Sequence, residues 1–294
     1  MQTIPSTAAR KRALISILVV MLIWGSAFTV TKIAVREIPP LLLAFLRNFF
    51  ASLILLPLYF ARKKMTGQTP LPKGRIFLMG LTGITVFYAL FNIALVHTSA
   101  SAGSLIQGFI PVAVALGAAI FLHEKISTYQ WAGIVLCVIG VALVGFVNRS
   151  EKGGNNLLGN SLMIISVFAW AAYTLIAKTM NRFDSILVVS MITFVGTLLF
   201  IPLVVIESWN LPLPKISFNA WLAVLYLGGL SSALSYVLYN NALKTLSAAQ
   251  VGNFLNLDPV IGAIIAFIFL KDAITPLQIF GAVLVLAGIL LSSR

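Results

Sequence analysis

Long apolar stretches alternate with short polar ones along the whole chain. Each apolar stretch is close to the ~20 residues that an α-helix needs to cross a hydrocarbon layer of ~30 Å. The first follows Arg10, Lys11 and Arg12 and continues to Val35 without a clean cleavage site, so we expect it to be retained as a helix. The pattern predicts an all-α integral membrane protein with ten transmembrane helices, at residues 13–35, 39–60, 75–97, 101–122, 128–147, 157–180, 185–206, 217–243, 247–270 and 275–293.

Composition supports this interpretation. Hydrophobic residues make up 60% of the chain and charged residues 9%, whereas a soluble domain has roughly 45–50% and about 25%. Because Cys137 is the single cysteine, neither a disulfide framework nor a cysteine metal site can form within one chain. We therefore expect no metal and no cofactor.

The positions of the charges explain the net charge of +13. Most of the 20 basic side chains fall in segments that are cytoplasmic if the N-terminus lies inside and the chain crosses ten times. The positive-inside rule then predicts that both termini are cytoplasmic and that the protein lies in a plasma or bacterial inner membrane. Basic residues at helix ends also favour anionic lipid, so the charge does not require a nucleic-acid partner.

The two halves of the chain repeat each other. The stretch YALFNIAL begins at Tyr88, and YVLYNNAL begins 148 residues later at Tyr236. At that offset the alignment continues without a gap to Leu143 and Leu291. It pairs Pro111 with Pro259, Glu124 with Asp272, Gln130 with Gln278, Gly133 with Gly281 and Gly140 with Gly288. Apolar composition alone would not align Tyr, Asn, Pro, Gln and an acid.

This repeat predicts the domain organisation. Residues 1–147 form a first five-helix repeat, 148–156 a connecting loop, and 157–294 a second five-helix repeat. Five is an odd number, so the second repeat enters the membrane from the opposite side. Inverted repeats are the usual architecture of alternating-access carriers, with the substrate near the membrane midplane. A channel or a scaffold could share this symmetry.

Several motifs carry a family resemblance: WGSAF at Trp24, ALVHTSASAGSLIQGFIPV at Ala94, FLHEKIS at Phe121 with QWAG at Gln130, ALKTLSAAQVGNFLNLDPV at Ala242, FLKDAIT at Phe269 and FGAVLVLAG at Phe280. In this doubled order the chain resembles EamA-type members of the drug/metabolite transporter superfamily. The resemblance implies ten helices in two inverted repeats and a metabolite substrate such as an amino acid, a nucleoside or a drug-like molecule, often moved outward. His123-Glu124 and Lys271-Asp272 depart from the Gly-Glu that is usual in the family's turns.

Polar and aromatic side chains within the predicted helices are the candidate substrate contacts. Polar groups are costly within a bilayer and indicate either function or helix–helix hydrogen bonding. Aromatic rings and amides suit an amphipathic molecule through stacking, cation–π attraction and orienting hydrogen bonds, although core packing is the alternative for each ring. The candidates are Trp24, Tyr88, Phe91, Asn92, Gln107, Trp170, Tyr173, Tyr236, Tyr239, Asn240, Asn253 and Asn256.

Two prolines and an acid mark the fourth and ninth predicted helices. Pro111 and Pro259 each remove a backbone hydrogen bond, which predicts a kink and a freed carbonyl at Gln107 or Leu255. Asp258 precedes the second proline in an apolar helix, where a carboxylate is expensive to ionise. It is a candidate for proton coupling or for binding an amine, with a structural bond to a neighbouring helix as the alternative.

Three other charged or titratable positions have structural alternatives. Arg47 either snorkels to the external interface or closes the pathway through a carboxylate such as Glu37, so we expect a structural or gating role. His97 is a second candidate for proton coupling, although a lone histidine is more often a hydrogen-bonded helix end. Glu124 and Asp272 fit helix caps.

An enzyme is the rival class that the sequence argues against. The sequence contains no HExxH, GxSxG or phosphate-loop motif. Its two histidines lie far apart and it has one cysteine, so we find no set of residues that is typical of a catalytic site. We therefore predict a secondary carrier, acting as a monomer, that exports small amphipathic metabolites by alternating access. Its expected partners are the lipid bilayer, a small-molecule substrate and, as one option, protons. A passive channel or a non-transporting scaffold is the alternative.

Overall fold

The computed structural model describes residues 7–66, 70–121, 127–146, 156–180, 182–210, 215–243, 254, 257–272 and 275–292. Within these ranges every regular element is a helix. The α-helices are α1 Thr7–Ala34, α2 Pro40–Thr66, α3 Lys73–Met79, α4 Phe87–His97, α5 Ala100–Gln107, α6 Ile110–Phe121, α7 Thr128–Phe146, α8 Asn156–Lys178, α9 Ser185–Asn210, α10 Phe218–Leu225, α11 Ser235–Leu243, α12 Asp258–Leu270 and α13 Pro276–Ser292.

Two of the predicted helices contain a π-helical turn. The segment Gly80–Val86 joins α3 to α4, and Tyr226–Leu234 joins α10 to α11, so each set runs as one helix. A hydroxyl group bonds the carbonyl five residues earlier in each: Thr85 to Gly80, and Ser235 to Leu230. π-Helical turns of this kind are frequent at functional sites.

The fourth predicted helix is broken in the middle. The N–H groups of Gly108 and Phe109 bond the carbonyls of Leu105 and Ile106, three residues back, so the last turn of α5 tightens. α6 then begins at Ile110, with Pro111 in its first turn. The predicted kink is therefore a break between two helices. In the ninth predicted helix, α12 likewise begins at Asp258, with Pro259 in its first turn.

Glycines allow α7 and α13 to pack closely. A Cβ atom added to Gly140 would lie 2.6 Å from the Gly281 carbonyl oxygen, and one added to Gly288 would lie 2.5 Å from the Gly133 carbonyl oxygen. The Cys137 thiol donates to the Val285 carbonyl at 3.3 Å between the same helices. Small residues at such contacts let the two backbones approach, as is common between helices in membranes.

The other long helices pack in pairs around the centre of the protein. α2 lies along α9, and the carboxylate of Glu207 at the end of α9 accepts the backbone N–H groups of Leu41 and Leu42 at 3.1 and 2.8 Å, which caps the start of α2. α4 packs against α8, and α1 packs against both α11 and α12.

If α5 and α6 are counted together as one span, Ala100–Phe121, the described residues include seven helices that are long and apolar enough to cross a membrane, and three shorter apolar helices. The three shorter ones fall within the fifth, ninth and tenth predicted spans. Large apolar side chains are exposed on the outer surface, among them Phe60, Phe121, Trp209 and Phe269 at 65 to 85%. A surface of this kind suits lipid. The helical class is confirmed, while ten crossings in two inverted repeats stay a prediction.

Candidate functional site

A cavity of about 130 Å³ lies between the helices. An apolar cavity of ~150 Å³ accepts a molecule of the size of benzene, so this one has room for a small metabolite. Its lining comes from both halves of the chain and consists of Trp24, Ala27, Phe28, Arg47, Phe87, Tyr88, Phe91, Gln107, Gly108, Ile110, Pro111, Trp170, Ser231, Tyr236, Asp258, Pro259 and Ile289.

Packed aromatic rings form much of the cavity wall. The ring centroid of Trp170 lies 4.7 Å from Phe87 and 6.5 Å from Tyr236. Trp24 is 5.8 Å from Tyr236 in an edge-on arrangement, and its indole N–H donates to the Ser231 carbonyl at 3.0 Å. These separations are within the range of attractive aromatic pairs, so the wall is preformed rather than loose.

Arg47 is a buried cation on this wall. It is 2% exposed, and its guanidinium carbon lies 4.1 Å from the ring centroid of Tyr88. Its Nε donates to Ser232 Oγ at 3.3 Å, and its Nη2 donates to the hydroxyls of Ser231 and Ser232 at 3.2 Å each. These partners are neutral. The structure therefore places Arg47 inside the protein, not at the external interface where snorkelling would take it.

The carboxylate expected to face Arg47 has another partner. Glu37 accepts the backbone N–H of Ser217 at 3.0 Å, and this bond together with one from the Ser217 side chain lowers the pKa of the exposed Glu37 carboxyl. In the part of the chain that the structure describes, the ion pair is Arg62 with Asp184, and Arg47 takes part in none.

Asp258 contributes a carboxylate to the cavity. The side chain stands at the first position of α12, and its Oδ1 is buried with no hydrogen-bond partner among the described residues. Pro259 follows it, and a Cβ atom added to Gly108 would lie 3.2 Å from Pro259 Cγ. The break between α5 and α6 and the start of α12 therefore meet at the cavity.

Gln107 is held at the end of α5. Its side-chain amide donates to Ser166 Oγ at 2.9 Å and to Met163 Sδ at 3.2 Å, both on α8. These bonds fix the orientation of the amide on the cavity lining.

Other predicted contacts lie outside the cavity lining. Asn92 is buried and donates to the Pro40 carbonyl at 3.0 Å, a helix-to-helix bond. The ring of Tyr173 lies 4.9 Å from that of Trp170, and the ring of Tyr239 lies 5.4 Å from that of Trp24, both in tilted arrangements, so each packs against a lining residue. His97 is in the last turn of α4.

Three predicted amides cannot be placed. Asn253 and Asn256 lie outside the described residues, and Asn240 is described only through the backbone of α11.

Sequence reasoning missed several lining residues. Phe28 lies four positions after Trp24, and Phe87 four positions before Phe91, so helical periodicity could have placed both on the same faces. Ser231 carries no such signal because it lies in a π-helical turn, where the spacing of side chains changes. Ile289 reaches the cavity from α13, a helix that contains none of the predicted contacts.

Polar contacts tie the helices together at one end of the cavity. The Lys32 ammonium donates to the carbonyls of Leu95 and Thr98 at 2.5 and 2.6 Å, at the C-terminal end of α4. Thr98 also donates its hydroxyl to Asn160 Oδ1 on α8. Asp272 accepts both the backbone N–H and the hydroxyl of Ser101 at 3.1 and 2.9 Å, at the start of α5. Four helices and the segment after α12 are joined here.

The described residues contain no group of three or more His, Cys, Asp or Glu side chains placed to hold a metal ion. The cavity lining offers aromatic faces, the hydroxyl of Ser231, the amide of Gln107, and one cation and one carboxylate.

Proteins from several organisms are similar in sequence to most of this chain. An archaeal transporter of uncharacterised function from Archaeoglobus fulgidus is 28% identical over 277 residues, which cover 93% of this chain and 94% of that one. A protein of Salmonella typhimurium described as a probable amino-acid metabolite efflux pump is 27% identical over 96% of this chain and 94% of its own. One from Streptantibioticus cattleyicolor, described as a probable terminal-alkyne amino-acid exporter, is 28% identical over 74% and 72%.

A solved structure shares the fold. It superposes with a TM-score of 0.65 at 17% identity, and the match covers 98% of this chain and 96% of that one. The profile of the EamA-like transporter family matches the chain twice, at residues 11–146 and again at 157–294. These matches confirm the family resemblance and the prediction of a multi-pass membrane protein. The chain belongs to the EamA-like transporter family.

Proposed function

We propose that this protein is a secondary carrier that moves small amphipathic metabolites, such as amino acids or drug-like compounds, by alternating access. The observation that carries the proposal is a cavity whose wall takes matching residues from the two halves of the chain: Tyr88 and Tyr236, 148 residues apart, meet there. In carriers built from inverted repeats, the substrate site lies where the repeats meet.

Reciprocal packing supports two inverted repeats. An offset of 148 relates α6 to α12 and α4 to α11, and an offset of 146 relates α1 to α8. α12 packs on α1 as α6 packs on α8, and α11 packs on α1 as α4 packs on α8. α6 and α12 also begin at matching positions, Ile110 and Asp258. In this proposal the repeats are 1–147 and 157–294, ten helices cross the membrane, and both termini are cytoplasmic.

The glycine contacts between α7 and α13 have the same reciprocity. Gly140 approaches Gly281, and Gly133 approaches Gly288. At the offset of 148, Gly140 matches Gly288 and Gly281 matches Gly133, so each pair becomes the other when the two repeats are exchanged. A pair of helices related in this way runs antiparallel about a two-fold axis, as an inverted repeat requires.

The polar contacts at one end of the cavity fit a closed gate. These hydrogen bonds join helices of both repeats and involve the side chains of Lys32, Thr98, Asn160, Ser101 and Asp272. An alternating-access carrier must open such an end without opening the other, and polar bonds between helix ends can break at modest cost because water replaces them. The topology above places this end on the outer side of the membrane.

The size and chemistry of the cavity favour small substrates. The volume of about 130 Å³, the aromatic wall and a few polar groups fit one amphipathic molecule, with most of its surface in contact with the protein. The relatives described as exporters of amino-acid compounds agree with this range. Asp258 remains the first candidate for proton coupling in this scheme, because it is a carboxylate on the cavity wall.

The proposal is tested by transport into proteoliposomes that contain the purified protein. Saturable uptake of a labelled metabolite without ATP, dependent on one internal pool of unlabelled amino acids, nucleosides or cationic drugs, supports a carrier. Uptake that stays linear with concentration and shows no dependence on an internal pool indicates a channel. Folded protein with no flux from any pool indicates a scaffold.

A further inference from the structure

We infer that Arg47 and Asp258 recognise the two ends of a zwitterion, so that the cavity selects molecules carrying one carboxylate and one ammonium group on an apolar body. This inference rests on the proposed carrier function and assigns the recognition chemistry of its site. It is carried by the placement of one cation and one acid on the same cavity, neither in an ion pair within the described residues.

Arg47 has donor capacity left for a carboxylate. Its Nε and Nη2 donate to the serine hydroxyls, whereas Nη1 makes no hydrogen bond to the residues that the structure describes. A guanidinium offers five N–H groups in a fixed fork, which fits a carboxylate better than any other anionic group of this size except phosphate. The ring of Tyr88 and the two serines hold the fork in one orientation, so little entropy is lost when an anion binds.

Asp258 has acceptor capacity left for an ammonium group. Its Oδ1 is buried and has no partner among the described residues. A buried acceptor without a partner is unfavourable because it has lost its bonds to water, and it is more so when it is charged. A substrate ammonium that donates to this oxygen would remove that cost, which is a physical reason for affinity at this position.

The two charged groups reach the cavity from different helices. Arg47 lies on α2, which packs on α4, α9 and the π-helical turn Tyr226–Leu234. Asp258 lies on α12, which packs on α1 and α5. Because they are held by separate sets of helices and do not pair with each other, a molecule between them can contact both.

The remaining wall determines the body of the substrate. The lining that is neither Arg47 nor Asp258 is largely aromatic and aliphatic, with Trp24, Phe28, Phe87 and Trp170 among its members. A third charge on the substrate would have no partner here and would be costly to bury. The cavity therefore favours amino acids with apolar side chains over those with charged side chains.

The inference is tested by binding in detergent with a set of matched probes. L-Phenylalanine carries both charges, phenethylamine lacks the carboxylate, and 3-phenylpropanoate lacks the ammonium group. L-Leucine and L-lysine test the apolar body. Equilibrium binding is measured for the parent protein and for Arg47→Gln, Asp258→Asn and the control Arg75→Gln, which removes an exposed guanidinium that does not line the cavity.

The expected result is a crossed pattern. The parent binds L-phenylalanine or L-leucine at least tenfold more tightly than either single-charge probe or L-lysine. Arg47→Gln weakens L-phenylalanine at least tenfold and changes phenethylamine by less than twofold. Asp258→Asn weakens L-phenylalanine similarly and changes 3-phenylpropanoate by less than twofold. Arg75→Gln changes none of them.

Other outcomes overturn the inference. Equal binding of single-charge and zwitterionic probes by the parent contradicts it without any variant, and so does the absence of binding by L-phenylalanine and L-leucine. Equal losses for every probe in Arg47→Gln would assign that residue to structure alone. Failure of the carrier function is distinguishable, because the crossed binding pattern without flux in liposomes would leave the recognition intact and remove the transport.

Discussion

The hydroxyl oxygens of Tyr88 and Tyr236 lie 3.4 Å apart on the wall of the central cavity, although the two residues are separated by 148 positions in the chain. Tyr88 also lies under the guanidinium of Arg47. The contact links the sequence repeat to the site, because residues at matching positions of the two halves meet where a substrate would bind. It also gives a first prediction.

Tyr88→Phe is expected to change the free energy of unfolding by less than about 1 kcal/mol, since a hydroxyl contact of 3.4 Å is long and contributes weakly. Tyr88→Leu removes the ring under Arg47 as well and is expected to cost several times more. Thermal unfolding of both variants in detergent compares them. Equal losses would show that the ring under Arg47 contributes nothing beyond its volume.

Close packing of α7 on α13 gives a second prediction. Gly140→Ala and Gly288→Ala each bring a methyl group to within 2.6 Å of a backbone oxygen, which the helices can accept only by moving apart. We expect each substitution to lower the melting temperature clearly, with a loss of about 1–3 kcal/mol. The matched control is Gly74→Ala, where an added Cβ meets nothing within 4 Å. A control that falls as far as the two test variants would contradict the packing account.

A third prediction concerns pH and the junction before α9. Asp184 accepts Arg62 Nε and the backbone N–H of Ile186, both at 2.9 Å. Partial burial disfavours the charged form, but these bonds outweigh it, so the pKa of Asp184 is lowered below its ordinary value of 3.8. Because its pKa is lower in the folded than in the unfolded state, the ionised carboxylate stabilises the fold. This stabilisation is fully present above the ordinary pKa and is lost as the pH falls through the folded-state pKa.

Asp184→Asn keeps a capping side chain and loses the charge, whereas Asp184→Ala loses both. We expect Asp184→Ala to be the less stable at pH 7, with a cap contribution of about 1 kcal/mol. The difference in stability between the parent and Asp184→Asn should narrow when melting is repeated at pH 2.5, below the ordinary pKa. A gap that is the same at both pH values would show that the ionised carboxylate contributes no stability.

The polar end of the cavity gives a fourth prediction. Lys32→Met removes the bonds to the carbonyls of Leu95 and Thr98, so the end of α1 should separate more often from the end of α4 and from the start of α5 that follows it. A cysteine at Ser101, a position 3% exposed, reports that opening through its rate of reaction with a water-soluble maleimide. We expect Ser101→Cys to react at least threefold faster when combined with Lys32→Met, in a background with the buried Cys137 replaced by alanine. An unchanged rate would mean that Lys32 does not hold this end closed.

Much of this architecture could be predicted from the sequence, because lipid permits few alternatives to the helix and the apolar stretches mark where helices lie. Aromatic side chains within the apolar helices were predicted as substrate contacts, and those that line the cavity include Trp24, Tyr88, Trp170 and Tyr236. Asp258 was predicted as a functional candidate from its apolar surroundings alone, and the structure places it on the same lining.

Other features could not be predicted, for physical reasons. Asn92 was grouped with Tyr88 by helical spacing, but spacing does not reveal that the Pro40 carbonyl, 52 residues away, accepts its amide. The hydrogen bonds from Arg47 to Ser231 and Ser232 could not be predicted because both serines lie in a π-helical turn. Such a turn changes the direction of side chains and has no simple sequence pattern. Contacts between distant segments and irregular helical turns are decided by tertiary packing.

Counterflow tests the central claim most directly. Liposomes containing the purified protein are loaded with unlabelled L-phenylalanine or L-leucine and diluted into a trace of the same labelled amino acid, without ATP. The account predicts a transient accumulation of label above equilibrium that disappears in empty liposomes and in protein-free liposomes. Entry of label at the same rate whether the liposomes are loaded or empty, with no accumulation, would contradict alternating access by this protein.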